Sequence, residues 1–332
     1  MPKKALVTGA CGFNGFHMVR LLLQNGYSVV ATDLKPSPKI KELNIPFIPA
    51  NLNTPESLEP LLENVDVVFH PAALFDYLAP LETLRRINVE GTKNLLTAAA
   101  KKNAKRFIIW SSLGVYGIPK TLPLTEMSET LPSNDYEISK LEQEKSALAL
   151  AKSLNLQVTI LRPSPIYGPG NRYGLVALPL VIARGQLPLC VTSIRRTFSC
   201  VHIQDVVRAA LFLSEKEESI GEIYNICDDR AYTHAEYLQY YAQLLGEKVT
   251  TLAYVPQCLY DAFFKALYCF FIYKSKKIAP QKPEVDPAMI QYILNHYVVS
   301  NAKLKKLGFE LQYPDFTVGA WETVQWIKKE LL

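Results

Sequence analysis

The stretch Thr8-Gly9-Ala10-Cys11-Gly12-Phe13-Asn14-Gly15 constrains this chain more than any other. Before it, Lys4-Ala5-Leu6-Val7-Thr8 reads as a short buried strand. After it, His17 to Gly26 reads as a helix ended by glycine. Glycines at three-residue spacing therefore occupy a strand-to-helix turn. Glycine allows a tight turn and close approach of the backbone to a ligand, and the free N–H groups that open a helix favour a negative group. A pyrophosphate fits that description.

The spacing is G-x-x-G-x-x-G, whereas the common dinucleotide fingerprint is G-x-G-x-x-G, so the reading needs independent support. Tyr27-Ser28-Val29-Val30-Ala31-Thr32 supplies it as a second strand ending at Asp33, where an acid can accept hydrogen bonds from an adenosine ribose. A carboxylate there repels a 2′-phosphate and favours NAD over NADP. Lys35 close by keeps NADP open.

Alternation of strands and helices continues. Phe47 to Ala50 is expected as a short strand, Thr54 to Glu63 as a helix with Pro55 in its first turn, and Val65 to His70 as another strand. Pro71-Ala72-Ala73 follows, with side chains small enough for backbone to lie against a cofactor. Asn88 opens a helix to about Lys102, and Arg106 to Ser111 is a strand running into Ser111-Ser112-Leu113-Gly114-Val115-Tyr116-Gly117. Polar residues at the carboxyl end of a central strand stand where doubly wound sheets bind ligands. Val158 to Pro163 is the next strand, Leu175 to Arg184 a helix, Thr197 to Ala209 a segment returning to the sheet, and Ile223 to Ile226 a further strand. Parallel strands joined by helices follow from this order.

Ser133-Asn134-Asp135 caps a helix through about Ser153 that carries Tyr136 and Lys140 in its first turns. Residues four apart share a helix face, so the phenol and the ammonium can point into one site. The same spacing recurs at Tyr116/Lys120, where Pro119 breaks any helix, and at Tyr273/Lys277, inside a basic run with no strand before it.

The 332 residues carry a formal charge of +5 with 49% hydrophobic side chains, which gives a nucleic-acid role no support because the basic residues are dispersed among acids. Six cysteines and five histidines show neither C-x-x-C pairs nor metal-ligand spacing, so reduced thiols and no metal are expected. The first strand begins at about Lys4, leaving no room for a signal peptide, and no apolar run reaches membrane-spanning length. The expected location is cytoplasmic.

Taken together in this order, the glycine turn, Asp33, His70 to Ala73, Asn88 to Asn94, Ser111 to Gly117, Tyr136 with Lys140, Arg162-Pro163, Tyr167-Gly168-Pro169, and Val201-His202 with Asp205 resemble the extended short-chain dehydrogenase/reductase family, the NAD-dependent epimerase/dehydratases. Within it the likeness is greatest to 3β-hydroxysteroid and sterol-carboxylate dehydrogenase-like members. The resemblance implies a doubly wound α/β, Rossmann-type parallel sheet with a smaller helix-rich C-terminal substrate domain. Residues 1–168 with a returning segment 197–227 would form the dinucleotide-binding domain, and 169–196 with 228–332 the substrate domain.

It further implies that Tyr136 is the acid/base, that Lys140 holds the nicotinamide ribose and lowers the phenol pKa, and that Ser112 binds the substrate oxygen. Cofactor contacts would come from Gly9, Gly12, Phe13, Asn14, Gly15, Asp33, Leu34, Asn51, Leu52, Ala72, Ala73, Asn88, Tyr136, Lys140, Pro163 and Ile166. Substrate contacts would come from Phe75, Tyr77, Ser112, Pro165, Arg196 and Phe198. His202 and Asp205 are expected to be structural. A homodimer through the helices near Asn88 to Lys102 and Asn134 to Ser153 is also implied, with Leu95, Leu96, Leu141, Leu148 and Leu150 serving either that contact or the sheet.

Two departures from the family pattern bear on the substrate. Nucleotide-sugar members usually carry an asparagine where this chain has Pro165 and an arginine where it has Phe198, although Arg195 or Arg196 can substitute. Leu259 to Tyr273 is apolar on most faces and runs into Lys274-Ser275-Lys276-Lys277. Such a helix serves either as a substrate lid with a solvated basic end or as a peripheral membrane contact across 259–277. The leading expectation is an oxidoreductase interconverting a secondary alcohol and a ketone on a lipophilic, sterol-like substrate. The alternatives are a nucleotide-sugar 4-epimerase or dehydratase with tightly held NAD, and a protein that senses NAD(P) without turnover.

Overall fold

The computed structural model describes residues 2–174, 178–185, 190–277 and 288–331. Its central sheet has six strands, β1 (Lys4–Thr8), β2 (Ser28–Thr32), β3 (Val67–His70), β4 (Arg106–Trp110), β5 (Gln157–Pro163) and β6 (Ile223–Ile226). They lie in the order β6-β5-β4-β3-β1-β2, and every neighbouring pair is parallel. β1 and β3 are adjacent, and the connections leaving them run in opposite directions across the sheet. Their carboxyl ends, Thr8 and His70, therefore open the crevice where such sheets take ligands.

Successive side chains of a strand serve opposite faces, and the two layers of core follow from that period. Ala5, Val7, Ala31, Ile108 and Leu161 pack with Met18, Val19 and Leu22 of α1 (Phe13–Gln24) and with residues that include Val206, Val207 and Ala210. Leu6, Val30, Val68, Phe107, Ile109 and Ile160 pack on the other face with Leu95 and Leu96 of α2 (Gly91–Lys101) and Ala147 and Ala151 of α3 (Asp135–Leu154). Helices on both faces of a parallel sheet make the fold doubly wound and Rossmann-like, with helices dominating the C-terminal region. A third cluster, rich in aromatic rings, gathers Tyr116, Phe198, Tyr232, Tyr237, Tyr241, Tyr292, Tyr297 and Phe316.

Several local expectations change. α1 begins at Phe13, four residues before the expected start, so Phe13, Asn14 and Gly15 belong to its first turn. Thr54 to Glu63 forms two short 3-10 turns, Pro55–Ser57 and Glu59–Leu62, because Pro60 cannot donate the N–H that a continuous helix requires. Phe47 to Ala50 makes only a single bridge, Ala31 to Phe47, where prolines at 46 and 49 lack ladder donors. The helix expected from Asn88 starts upstream as a wide-turn segment, Arg85–Glu90, continuous with α2. Of the Leu175 to Arg184 helix, Leu178–Ala183 is present, and 175–177 lie outside the described residues.

Thr197 to Ala209 does not rejoin the sheet as a strand. Thr197–Phe198 pairs with Tyr232–Thr233 and Val201–His202 with Ile166–Tyr167, and α4 (Ile203–Ser214) then covers the sheet. The His202 ring caps it, accepting from the Gln204 N–H at 3.3 Å. Asp205 accepts from the backbone N–H groups of Gln312 and Tyr313 at 2.8 and 2.7 Å, so this pair holds the C-terminal segment. Beyond it come α5 (His234–Leu245), α6 (Gln257–Lys277) and α7 (Phe316–Leu331). Among the described residues, no helix is long and apolar enough to cross a membrane. Leu95 and Leu96 are buried in the sheet core and Leu141 in the aromatic cluster, whereas Leu148 and Leu150 are half-buried against the sheet core.

Candidate active site

The glycine turn is built by contacts that tolerate no side chain. Gly9 has φ +58°, and a Cβ there would stand 2.8 Å from Ala72 Cα, so the turn lies directly on the loop after β3. A Cβ on Gly15 would stand 2.1 Å from the Gly9 carbonyl oxygen. Gly12 is the N-cap of α1 and supplies no side-chain acceptor, which leaves first-turn N–H groups for an anion. Asn14 Oδ1 is buried there without a partner among the described residues. Asp33 follows β2, its Oδ2 accepting from the Cys11 N–H at 3.1 Å and its Oδ1 from the Leu34 N–H at 2.7 Å. These residues fit a pyrophosphate with its adenosine.

The remaining expected cofactor residues are spread around this crevice. Leu34 and Asn51 are exposed, Asn51 Oδ1 accepting from the Asn53 N–H at 3.0 Å, and the Leu52 side chain lies where a Cβ on Gly91 would reach, at 2.8 Å. Ala72 and Ala73 are half-buried. Asn88 is fully buried and pins the loop after β3, accepting from the Leu74 N–H at 2.7 Å and donating to Ser139 Oγ at 3.0 Å. Pro163 ends β5, and Ile166 is aligned with Val201 in a short parallel pair.

Ser112, Tyr136 and Lys140 come together at the carboxyl end of β4. Ser112 Oγ accepts from the Gly114 N–H at 3.1 Å and stands close enough to the Tyr136 phenol to act on its pKa. Asn134 caps α3 by accepting from the Glu137 N–H at 3.0 Å, which fixes the turn that carries Tyr136. Burial raises the Tyr136 pKa, Glu137 adds to the rise, and Ser112 opposes it. Lys140 is 1% exposed and donates to the Trp110 carbonyl at 2.6 Å and to Gln143 Oε1. Burial brings its pKa down to about 7 against the opposing charge of Glu144. A phenol and an ammonium that both resist charging are poised to respond to any charge bound beside them.

An aromatic wall surrounds the phenol. Phe75 and Tyr77 meet the Tyr136 ring edge-on at 5.1 and 5.0 Å between centroids, and Tyr173 extends the wall from Phe75 at 6.4 Å. Pro165 is half-buried, its carbonyl accepting from the Val201 N–H at 3.1 Å. Two expected substrate residues are engaged elsewhere. Arg196 closes on Asp261 of α6 in a two-point ion pair at 2.6 and 2.8 Å, and Phe198 is wholly buried, stacked on His234 at 5.0 Å. Arg195 is exposed and lines, with Arg196, Lys120, Asn295 and His296, a cavity of about 600 Å³. Among the described residues no cluster can hold a metal ion.

Sequence reasoning did not find Asp261, Tyr173, or the buried polar residues His70, Thr92 and Gln143 that reach Lys140. Asp261 had one available signal, being the only acid in α6.

Comparison with known proteins gives a consistent grouping. A profile of the NAD dependent epimerase/dehydratase family matches residues 5–227. The UDP-glucose 4-epimerase of Vibrio cholerae is 30% identical over 273 residues, 80% of this chain and 82% of that one. The 3-beta-hydroxysteroid dehydrogenase of Mycolicibacterium neoaurum is 26% identical over 325 residues, 92% of this chain and 87% of that one. Among solved structures, the UDP-glucose 4-epimerase of Thermotoga maritima with UDP-glucose superposes with a TM-score of 0.78 at 25% identity, covering 99% of this chain and 100% of that one.

Proposed function

Because the chain belongs to the NAD dependent epimerase/dehydratase family, we propose that it is an NAD-dependent oxidoreductase that interconverts a secondary alcohol and a ketone on a lipophilic, sterol-like substrate. The observation that carries this reading is the aromatic wall of Phe75 and Tyr77 packed against Tyr136. An apolar ring system docks on such a wall by area, with no charge to satisfy. The engagement of Arg196 by Asp261 supports it further, because a guanidinium already held by a carboxylate is less available to a diphosphate.

NAD, when bound, accepts the hydride of the carbinol carbon. The glycine turn, Asn14 and Asp33 would hold its pyrophosphate and adenosine ribose, and Lys140, with two of its three donors on the Trp110 carbonyl and Gln143, would keep one for the nicotinamide ribose. Ser112 donates to the substrate oxygen and aligns it on Tyr136. Tyr136 then takes the hydroxyl proton as the C–H electron pair leaves, and the carbonyl forms. Burial raises the phenol pKa, and the positive charge of bound cofactor, with a Lys140 ammonium in the same site, would offset that rise.

A second reading, a nucleotide-sugar 4-epimerase or dehydratase, draws support from the cavity lined by Arg195, Lys120 and His296. The exposed Arg195 guanidinium beside a space of about 600 Å³ suits a diphosphate. In that reading the hydride returns to the substrate and no net reduction appears.

The deciding experiment supplies purified protein with NAD and parallel panels of hydroxysterols and of UDP- and dTDP-sugars. Net nicotinamide reduction with an alcohol, lowered about 10²- to 10⁴-fold in Tyr136→Phe, is the expected result. Conversion of a sugar without net reduction would establish the second reading instead.

Residues 1–168 with 197–227 act as the cofactor domain and the rest as the substrate domain. The protein works in the cytoplasm as a homodimer, where light scattering should give twice the chain mass. Its α6 contacts a membrane surface from which a lipophilic substrate is drawn.

A further inference from the structure

A buried line of hydrogen bonds runs from the glycine turn to Lys140 through four separate elements. Thr8 Oγ1 at the end of β1 meets His70 Nδ1 at 2.7 Å, and His70 Nε2 at the end of β3 meets Thr92 Oγ1 of α2 at 2.9 Å. Gln143 Nε2 of α3 donates to the same Thr92 oxygen at 2.8 Å, and Gln143 Oε1 accepts from Lys140. His70, Thr92 and Gln143 are each 0% exposed, and Thr8 and Lys140 are 1% exposed.

The hydrogens in this line have one consistent arrangement. Thr92 spends its single hydroxyl hydrogen on the Asn88 carbonyl at 2.7 Å, so it can only accept from Gln143 and from His70. His70 therefore carries its proton on Nε2 and accepts on Nδ1 from Thr8. The Gln143 amide is fixed with nitrogen toward Thr92, which turns its oxygen to the ammonium. Burial keeps His70 neutral, its pKa brought down to about 3, so the arrangement holds across the working range.

We propose that Gln143, clamped by Thr92 and His70, is a positioning residue that fixes the Lys140 ammonium in place and favours its charged form. The charges facing that ammonium are otherwise few. Glu144 lies on the same helix, His70 comes from β3, and Arg162 of β5 is paired to Glu144. β4 contributes the Trp110 carbonyl and α2 the neutral Thr92. Losing one of two buried acceptors then matters, since a hydrogen bond to a charged group is stronger than one between neutral groups.

The inference rests on Lys140 serving the proposed site, but the deciding titration reads the ammonium without NAD or substrate, so an absent reaction and an absent clamp are separate results. Protein carrying lysine labelled at the carbon next to the ammonium is titrated by NMR, with the Lys140 signal assigned by Lys140→Arg. Gln143→Met should move the midpoint about one pH unit lower, as expected for a lost charge-assisted hydrogen bond. Gln143→Glu should move it upward by at least about as much, because a carboxylate then touches the ammonium. In Gln143→Met, NAD binding measured by calorimetry should begin to weaken about one pH unit earlier as pH rises, in keeping with the same shift. Midpoints unmoved in both variants would overturn the proposal even if the melting temperature fell. Should Gln143→Met fail to fold, Gln143→Glu decides alone, and no upward movement overturns it.

Discussion

Arg162 of β5 and Glu144 of α3 form a two-point ion pair, Nε to Oε1 at 2.9 Å and Nη2 to Oε2 at 2.6 Å, with side chains only 4% and 3% exposed. The guanidinium also lies 4.8 Å from the centroid of the Tyr116 ring, so the pair joins helix, strand and the turn after β4 beneath the site. Breaking a buried pair from one side leaves an uncompensated charge. Glu144→Gln, which keeps the volume, should therefore cost about 3–5 kcal/mol in chemical denaturation. Adding Arg162→Met should recover part of that loss. A cost below about 1 kcal/mol for the single variant would mean that water reaches the guanidinium.

Lys140 makes stability depend on pH with a definite sign. Its ordinary value of 10.5 falls to about 7 in the fold, so between those values the unfolded chain binds more protons than the folded one. Stability from this group is lowest below about pH 7 and rises as pH climbs toward 10. Lys140→Met removes the dependence. The melting temperature of the wild type relative to the variant should thus increase steadily across that window, measured without NAD. His70, brought down from 6.5 to about 3, acts only at lower pH, where acid destabilises the fold by charging it in the unfolded chain. A gap between the two proteins that stays constant with pH would mean that the ammonium keeps its ordinary titration.

The readable parts of this fold are those encoded locally. Continuous apolar runs marked the buried parallel strands, and glycine spacing with Asp33 marked the crevice, because strand period and turn chemistry act over a few residues. Tyr136 and Lys140 were legible through helical spacing together with the strand into Ser111 before them, since Tyr116/Lys120 and Tyr273/Lys277 share the spacing without that setting. Gln143 and Glu144 carried no local signal: both are buried because their partners Thr92 and Arg162 arrive from distant elements. Phe198 illustrates the same limit. An aromatic side chain suits a substrate wall and a core equally, and only the arrival of His234 and Tyr237 beside it makes it core. Arg196 likewise met its carboxylate 65 positions away.

On α6, Leu259 and Phe263 are each 62% exposed and Phe270 is 56% exposed, with exposed Ala266 between them at helical spacing. The single acid of the helix, Asp261, is taken by Arg196, and the sequence continues into Lys274, Lys276 and Lys277. An apolar stripe followed by cations suits an anionic lipid surface. The protein should float with phosphatidylcholine vesicles that contain phosphatidylglycerol, less so without it, and less as salt rises. Phe263→Glu combined with Phe270→Glu should abolish flotation and change the folding free energy by no more than about 0.5 kcal/mol per site, because both rings already face outward. Flotation that survives the double change would remove α6 as the contact. A double variant that instead loses self-association would make the stripe a surface between copies of this chain.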